Sequence, residues 1–334
     1  MESNIILDDV PPHMMSAQID QAARDRVRGG SGEKSTVTVT SVLDQLLERL
    51  QSGKGDTLYK LDEALNGFEI GPGLLTVLGA PPGVGKTALA GQMAFEAIHQ
   101  NPGLKVYIAN AETDPVKLLS RELARRSGLP MRAVRFADLT QKQLALAERT
   151  IREIQAEAES RMELLPLHHC DGKGLVSLAA DCDPGFLVVD YIQKFARSGV
   201  DARLAMNELM ANLRLMAASG WGVLCLSATS RTYSKGGSSH DTEKLSLASF
   251  KESGEIEFNV DAAYLLRNNG DVDPGRLIRK VTLDCQKNRH GETKAVELHF
   301  DRAHMSFDAP EPEIGTYDGA PAEFGSSLPW MATR

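Results

Sequence analysis

At 334 residues, with 25% charged and 42% hydrophobic residues, the chain has the length and composition of a soluble globular protein with a full core. No apolar run approaches the roughly 20 residues of a membrane-spanning helix, and the start, Met1-Glu2-Ser3-Asn4, carries no secretion signal, so a cytoplasmic location and no membrane partner are expected. The net charge of −8 excludes a surface coated for nucleic acid but permits a local basic channel, and four widely spaced cysteines (Cys170, Cys182, Cys225, Cys285) read as reduced thiols.

Residues 1–35 are polar, end in a Gly/Ser-rich run at 28–34, and read as a flexible extension. Residues 36–55 read as a linker helix. Val39, Val42, Leu43, Leu46, Leu47 and Leu50 recur at helical spacing on one face over 36–52, and Gly53-Lys54-Gly55 stops the run. Over 56–308 apolar strands alternate with amphipathic helices, the pattern of an α/β fold with parallel βαβ units. Residues 309–334, rich in Pro, Gly and Ser, read as a disordered tail, in which Leu328-Pro329-Trp330-Met331 could dock on a partner.

The most informative segment is Val77-Leu78-Gly79-Ala80-Pro81-Pro82-Gly83-Val84-Gly85-Lys86-Thr87, followed by the helical pattern from Ala88. An apolar run, a Gly/Pro turn and Lys-Thr at a helix start form the order of a phosphate-binding P-loop. Backbone N–H groups at Gly83 and Gly85 would face a triphosphate, with the helix dipole behind them. Lys86 would reach the β- and γ-phosphates of ATP, and Thr87 would hold Mg²⁺. The residues lining this loop are therefore Ala80, Pro81, Pro82, Gly83, Val84, Gly85, Lys86, Thr87 and Ala88. In the strict pattern the first glycine would stand where Ala80 does, and Gly79 is one place early.

Three further strand ends carry polar groups. The strand Val106-Tyr107-Ile108-Ala109-Asn110 leads into Ala111-Glu112-Thr113, which places Glu112 to orient or deprotonate an attacking water. Phe186-Leu187-Val188-Val189-Asp190 ends in a carboxylate; beside the P-loop strand, Asp190 would complete the Mg²⁺ site. Gly222-Val223-Leu224-Cys225-Leu226-Ser227 is the next strand, ending at Ala228-Thr229-Ser230-Arg231. His168-His169-Cys170 with Cys182 offers zinc-type ligands, but adjacent histidines on a strand face opposite ways, so Cys170 reads as core.

These motifs, together with Asp190-Tyr191-Ile192-Gln193, Lys251-Glu252-Ser253-Gly254-Glu255-Ile256-Glu257 and Lys287-Asn288-Arg289-His290-Gly291, follow the order seen in the DnaB-like replicative helicases. Over roughly 36–308 the chain resembles their C-terminal motor. The resemblance implies a RecA-like P-loop NTPase core, a mostly parallel twisted sheet with helices on both faces, and a Mg²⁺-dependent ATP-hydrolysing DNA helicase. It implies a homo-oligomeric ring, read as a hexamer, moving on single-stranded DNA in the replication of a phage, plasmid or other mobile element. A replication initiator or other element-encoded protein is a partner it admits. By the same resemblance Lys287 and Arg289 reach the γ-phosphate bound by the neighbouring subunit, and the 36–52 helix docks on that neighbour. Taken alone, Lys287 and Arg289 also read as a solvated turn between hairpin strands.

Two departures from the family stand out. Its usual N-terminal domain is expected to be absent, replaced by about 35 loosely patterned residues. Ala228 stands where the family carries a glutamine that senses the γ-phosphate, so coupling between hydrolysis and DNA movement is expected to be altered. A RecA-like DNA- or partner-binding ATPase switch, without processive unwinding, is the alternative. Candidate DNA contacts are Lys194, Arg197 and Arg203 after the Asp190 strand, and Lys235 and Lys244 after the next, since single cations on Gly-rich loops track a phosphate backbone.

Overall fold

A computed structural model of the chain describes residues 38–53, 55–65, 67–165, 171–196, 201–229, 246, 250, 253–269 and 278–310. Helix α1 (Val39–Gln51) starts on Thr38, whose hydroxyl oxygen accepts from the Ser41 N–H at 3.2 Å. Among the described residues its apolar stripe is left uncovered: no residue of α1 is buried, and Val39 is 76% exposed. Such a stripe is what a core-facing helix normally covers.

As far as Asn268, strands and helices alternate as the sequence pattern predicts. In order come β1 (Leu75–Ala80), α2 (Lys86–Gln100), β2 (Val106–Asn110), α3 (Pro115–Ser127), α4 (Met131–Phe136), α5 (Gln141–Ala158), β3 (Met162–Leu164), α6 (Gly172–Asp181), β4 (Phe186–Asp190), α7 (Ile192–Phe195), α8 (Ala202–Ala218) and β5 (Gly222–Ala228). Then α9 (Ser253–Asn259), β6 (Ala262–Asn268), β7 (Ile278–Asn288), β8 (Ala295–Asp301) and β9 (Ser306–Asp308) complete it. The strands form one sheet in the order β3-β2-β4-β5-β1-β6-β7-β8-β9.

The sheet is covered on both faces, which is why its central strands are apolar without alternation. Leu78 of β1 faces a cluster with Leu89, Met93 and Ala97 of α2. Val77 faces the other cluster, with Met206, Met210 and Leu213 of α8. Both clusters end in fully buried aromatics, Phe307 on one side and Trp221 on the other.

Two expectations need correction. Parallel pairing holds from β3 through β6, but β6, β7, β8 and β9 form an antiparallel meander. The described residues there run hairpin to hairpin without crossover helices, and β7 buries alternate residues Val281, Leu283 and Cys285, the period-two mark of a one-sided strand. Nor does the Asp190 strand lie beside the P-loop strand: β5 intervenes, pairing Val77 with Cys225 on one side and Leu187 with Val223 on the other. Continuous apolar strands buried on both faces carry no signal for who neighbours whom.

The meander positions the site. Its Phe300 and Phe307 stack at 4.2 Å, and Gln92 of α2 clasps the Phe307 backbone, donating to its carbonyl at 2.7 Å and accepting from its N–H at 2.8 Å. The P-loop helix is thereby held to the end of the sheet.

Candidate active site

The loop from Ala80 to Lys86 turns where its glycines allow. Gly83 and Gly85 have φ of 80° and 108°, the left-handed region open to glycine. At Gly85 space also decides: a Cβ would lie 2.8 Å from Phe307 Cζ and 2.9 Å from Phe300 Cε1. Ala80 departs from the strict pattern without cost, because it is the last residue of β1, buried and paired with Ala228. Gly79, one place early, is needed for another reason: a Cβ there would meet Phe250 Cε1 at 2.4 Å. Pro81, Pro82, Val84 and Ala88 complete the loop, with Val84 and Ala88 buried beneath it and Pro82 exposed.

Thr87 and Asp190 meet. The Thr87 hydroxyl donates to Asp190 Oδ2 at 2.7 Å, although β1, which leads to Thr87, and β4 are not neighbours. Asp190 is 2% exposed, and its other oxygen, Oδ1, has no hydrogen-bond partner among the described residues. Burial raises its pKa, against the Thr87 hydrogen bond and the Lys86 charge that lower it. A buried carboxylate with one oxygen unsatisfied beside a hydroxyl fits the donor set of a hard divalent cation. Lys86, whose Nζ stands 5.3 Å from the Tyr191 ring centroid, has its pKa lowered by burial while Asp190 and Glu112 hold it up.

Glu112 is exposed, and its carboxylate makes no hydrogen bond or ion pair with a described residue. Its loop is nevertheless fixed. Asn110 Oδ1 accepts from the N–H groups of Glu112 at 2.9 Å and Thr113 at 2.7 Å, and Asn110 Nδ2 donates to Asp190 Oδ2 at 3.4 Å. Sequence reading gave Asn110 no role beyond ending a strand. A lone amide closing an apolar strand, two residues before a candidate base, was the available signal. Asp114 then caps α3 by accepting from Val116 and Lys117.

The structure separates Lys287 and Arg289 from this cluster. Lys287 pairs with Ala263, which pairs with Val77, and the Arg289 N–H donates to the Asp261 carbonyl at 2.9 Å, while the Asp261 N–H donates to that of Leu75 at 2.8 Å. Both therefore lie toward the start of β1, whereas the P-loop follows its end. Five residue steps at about 3.3 Å put roughly 16 Å between the Arg289 level and Ala80. Lys287 Nζ donates to the Val260 carbonyl at 2.9 Å. Arg289 reaches Asp261 Oδ1 at 3.4 Å and the Phe258 carbonyl. Asp261, 2% exposed, also accepts from the Leu75 N–H and from Arg214. This hub, linking positions far apart in the chain, escaped sequence reading.

At the end of β5, Gln193 takes the hydrogen-bonding positions beside Ala228. Its amide donates to Ser227 Oγ at 2.8 Å and accepts from the Ala228 N–H at 3.3 Å. Of the candidate DNA contacts, Lys194 is half-buried on α7 and Arg203 is exposed in the first turn of α8, both following β4 at the P-loop end of the sheet. Arg197, Lys235 and Lys244 lie outside the described residues, as do Arg231, Lys251, Glu252, His168, His169, Cys170 and the segments 1–37 and 311–334. Among the described residues no cluster of metal-ligating side chains and no helix long and apolar enough to cross a membrane occurs.

The family model of the DnaB-like helicase C-terminal domain matches residues 55–309. The chain belongs to that family. A probable plasmid replicative DNA helicase of Chlamydia trachomatis is 23% identical over 257 residues, 73% of this chain and 52% of that protein. The replicative DNA helicase DnaB of Mycoplasma genitalium is 25% identical over 281 residues, 78% of this chain and 57% of its own length. The chain spans about half the length of these relatives. A DnaB-like replicative helicase, solved together with its interactions with primase, superposes with a TM-score of 0.67 at 17% identity, over 90% of this chain and 77% of that one. A second solved structure, of an ATPase domain, gives 0.65 at 17% identity, over 83% of this chain and all of that domain. The RecA-like fold expected from the sequence is thus the fold of this family's motor.

Proposed function

We propose that this chain is a ring-forming, ATP-hydrolysing DNA helicase motor whose active sites are completed between subunits. One observation carries the reading. Lys86, Thr87, Glu112 and Asp190 gather at one end of the sheet, while the cations Lys287 and Arg289 sit at the other, beyond reach of their own P-loop. Cations so placed act on a neighbour's nucleotide or not at all.

In this reading the amides of the P-loop bind the phosphates and Lys86 neutralises developing charge on the γ-phosphate. Glu112, held by Asn110 at its backbone, takes a proton from the attacking water. Thr87 and Asp190 would hold Mg²⁺, which supplies charge neutralisation at the phosphates. Arg289 and Lys287 of the adjacent copy add positive charge as the bond breaks, a contribution of about 10³ or more in rate where such a finger is used. Helix α1, with its apolar stripe uncovered on its own motor, holds the neighbour. Lys194 and Arg203 contact single-stranded DNA in the ring, as the sequence also suggests for Arg197, Lys235 and Lys244, and such contacts make binding salt-dependent. The names of the relatives support a replicative role, on a plasmid or similar element.

The test pairs an ATPase assay, with and without single-stranded DNA, with a strand-displacement assay. DNA-stimulated hydrolysis with displacement is expected, and Lys86→Ala is expected to abolish both. Hydrolysis without displacement would select the ATPase switch, the direction in which Ala228 points. Unchanged hydrolysis in Lys86→Ala would sink the site.

A further inference from the structure

Arg289 is held at both ends by one buried residue. Its backbone N–H donates to the Asp261 carbonyl at 2.9 Å, and its Nη1 donates to Asp261 Oδ1 at 3.4 Å. Its Nη2 donates to the Phe258 carbonyl in the last turn of α9. Asn288 stiffens the turn that carries Arg289, accepting from the His290 and Gly291 N–H groups at 3.0 Å each. A guanidinium has five N–H donors. Two are used here, and the others make no bond with a described residue. With 41% of the side chain exposed, the fork keeps an edge open to solvent.

Asp261 does not need Arg289 for its own sake. It is 2% exposed, and its Oδ2 accepts from the Leu75 N–H at 2.9 Å and from Arg214 of α8. Arg214 alone balances the buried charge, so a second guanidinium, on Oδ1, exceeds what a structural ion pair requires. Asp261 is itself fixed, because its N–H donates to the Leu75 carbonyl at 2.8 Å while its side chain accepts from the Leu75 N–H. A carboxylate locked by main chain and side chain to the start of β1 can set the direction of a long side chain that otherwise samples many rotamers.

We propose that Asp261 is the positioning residue for Arg289: it presents the open edge of the guanidinium to the phosphates held by the neighbouring subunit. The inference rests on the shared-site reading above. Asp261 bonds to the first residue of β1, and the P-loop follows the last, so loss of its charge acts through Arg289 and not on the P-loop of its own subunit. For a group that must meet a developing charge, a misplacement of about 1 Å can cost about 100-fold in rate.

The test is steady-state ATPase activity of the full chain carrying Asp261→Asn, which keeps an acceptor for the Leu75 N–H and removes the charge. Its kcat should fall about 10- to 100-fold while KM for ATP stays within about twofold. Mixed in equal amounts with Glu112→Gln, whose Arg289 is intact and held, it should recover toward about a quarter of wild-type activity; mixed with Arg289→Ala it should recover nothing. A merely structural role would not discriminate between these two partners. Melts and light scattering confirm that each protein folds and assembles. If Asp261→Asn does not, because Arg214 is left uncompensated, Asp261→Asn with Arg214→Gln removes both charges and decides; if neither folds, Asp261 is a structural residue and the proposal fails. Wild-type turnover in Asp261→Asn, recovery with Arg289→Ala, or recovery with neither partner overturns the proposal while leaving the shared-site reading intact. Wild-type turnover in Arg289→Ala overturns that reading, and the proposal with it.

Discussion

Glu96, nearly three turns into α2, gives the sharpest stability prediction. It is 3% exposed, accepts from the Asp62 N–H at 3.3 Å, and has Arg125 Nη1 at 3.7 Å, too far for a hydrogen bond from a guanidinium already bonded to Glu122. Burial first, and the neighbouring Asp62 second, push its pKa up to about 8 from an ordinary 4.5, against the opposing charge of Arg125. Because the folded value is the higher one, the stability this group contributes is fully present below about 4.5 and is lost as pH rises to about 8. At 1.36 kcal/mol per pH unit the ceiling is about 5 kcal/mol, and relaxation of the cluster on ionisation reduces the expected loss to about 2–4 kcal/mol. Glu96→Gln keeps an acceptor for Asp62 and cannot ionise. Denaturant melts of both proteins at pH 5, 7 and 9 should therefore show a small difference at pH 5 that grows in favour of Glu96→Gln by pH 9. Taking the difference cancels titration elsewhere in the chain. A difference that does not change with pH, or a variant less stable than wild type at pH 9, would refute the reasoning.

Other outcomes follow from the site. Gly85→Ala must place a Cβ at φ 108° against two stacked rings, so a loss of about 2–5 kcal/mol in a melt is expected, with loss of nucleotide binding; wild-type stability would show that the loop is not held by the meander. Glu112→Gln should bind ATP with near-normal affinity in a titration but hydrolyse it at least about 100-fold more slowly, since the amide accepts no proton; normal turnover would move the base elsewhere. Leu43→Asp with Leu47→Asp on α1, both exposed, should leave the melting temperature within about 2 °C but lower particle size in light scattering and ATPase together; an unchanged assembly would mean the stripe holds no neighbour.

The parts of this molecule that could be read from its sequence are those whose signal is local. The P-loop is written in consecutive residues, because positive φ and close approach demand glycine at named positions and a helix must follow. Asp190, a charge closing one apolar strand, and Glu112, two residues past the end of another, were marked by the same local signal, since ligands gather at strand ends. What could not be read is long-range. That β5 separates β4 from β1 depends on pairings invisible in strands apolar throughout. The rings of Phe300 and Phe307 beneath Gly85, more than 200 residues away, show in no spacing rule. Asp261 stands before an apolar strand like many solvated residues, and only folding brings the Leu75 N–H, Arg214 and Arg289 to it. The meander is intermediate, since the alternation along β7 was there to read once parallel units were not assumed.

The central claim is that hydrolysis needs Glu112 from one copy and Arg289 from another, because the fold holds them at opposite ends of one sheet. The measurement that reaches it most directly is ATPase activity of Arg289→Ala and Glu112→Gln proteins, alone and mixed in equal amounts, with assembly followed in parallel. Each alone should be nearly inactive. In a random mixture about a quarter of the interfaces pair an intact Glu112 with an intact Arg289, so activity should return toward that fraction. Mixed assemblies that form and yet recover nothing, or an isolated monomer that hydrolyses ATP at the full rate, would contradict the account.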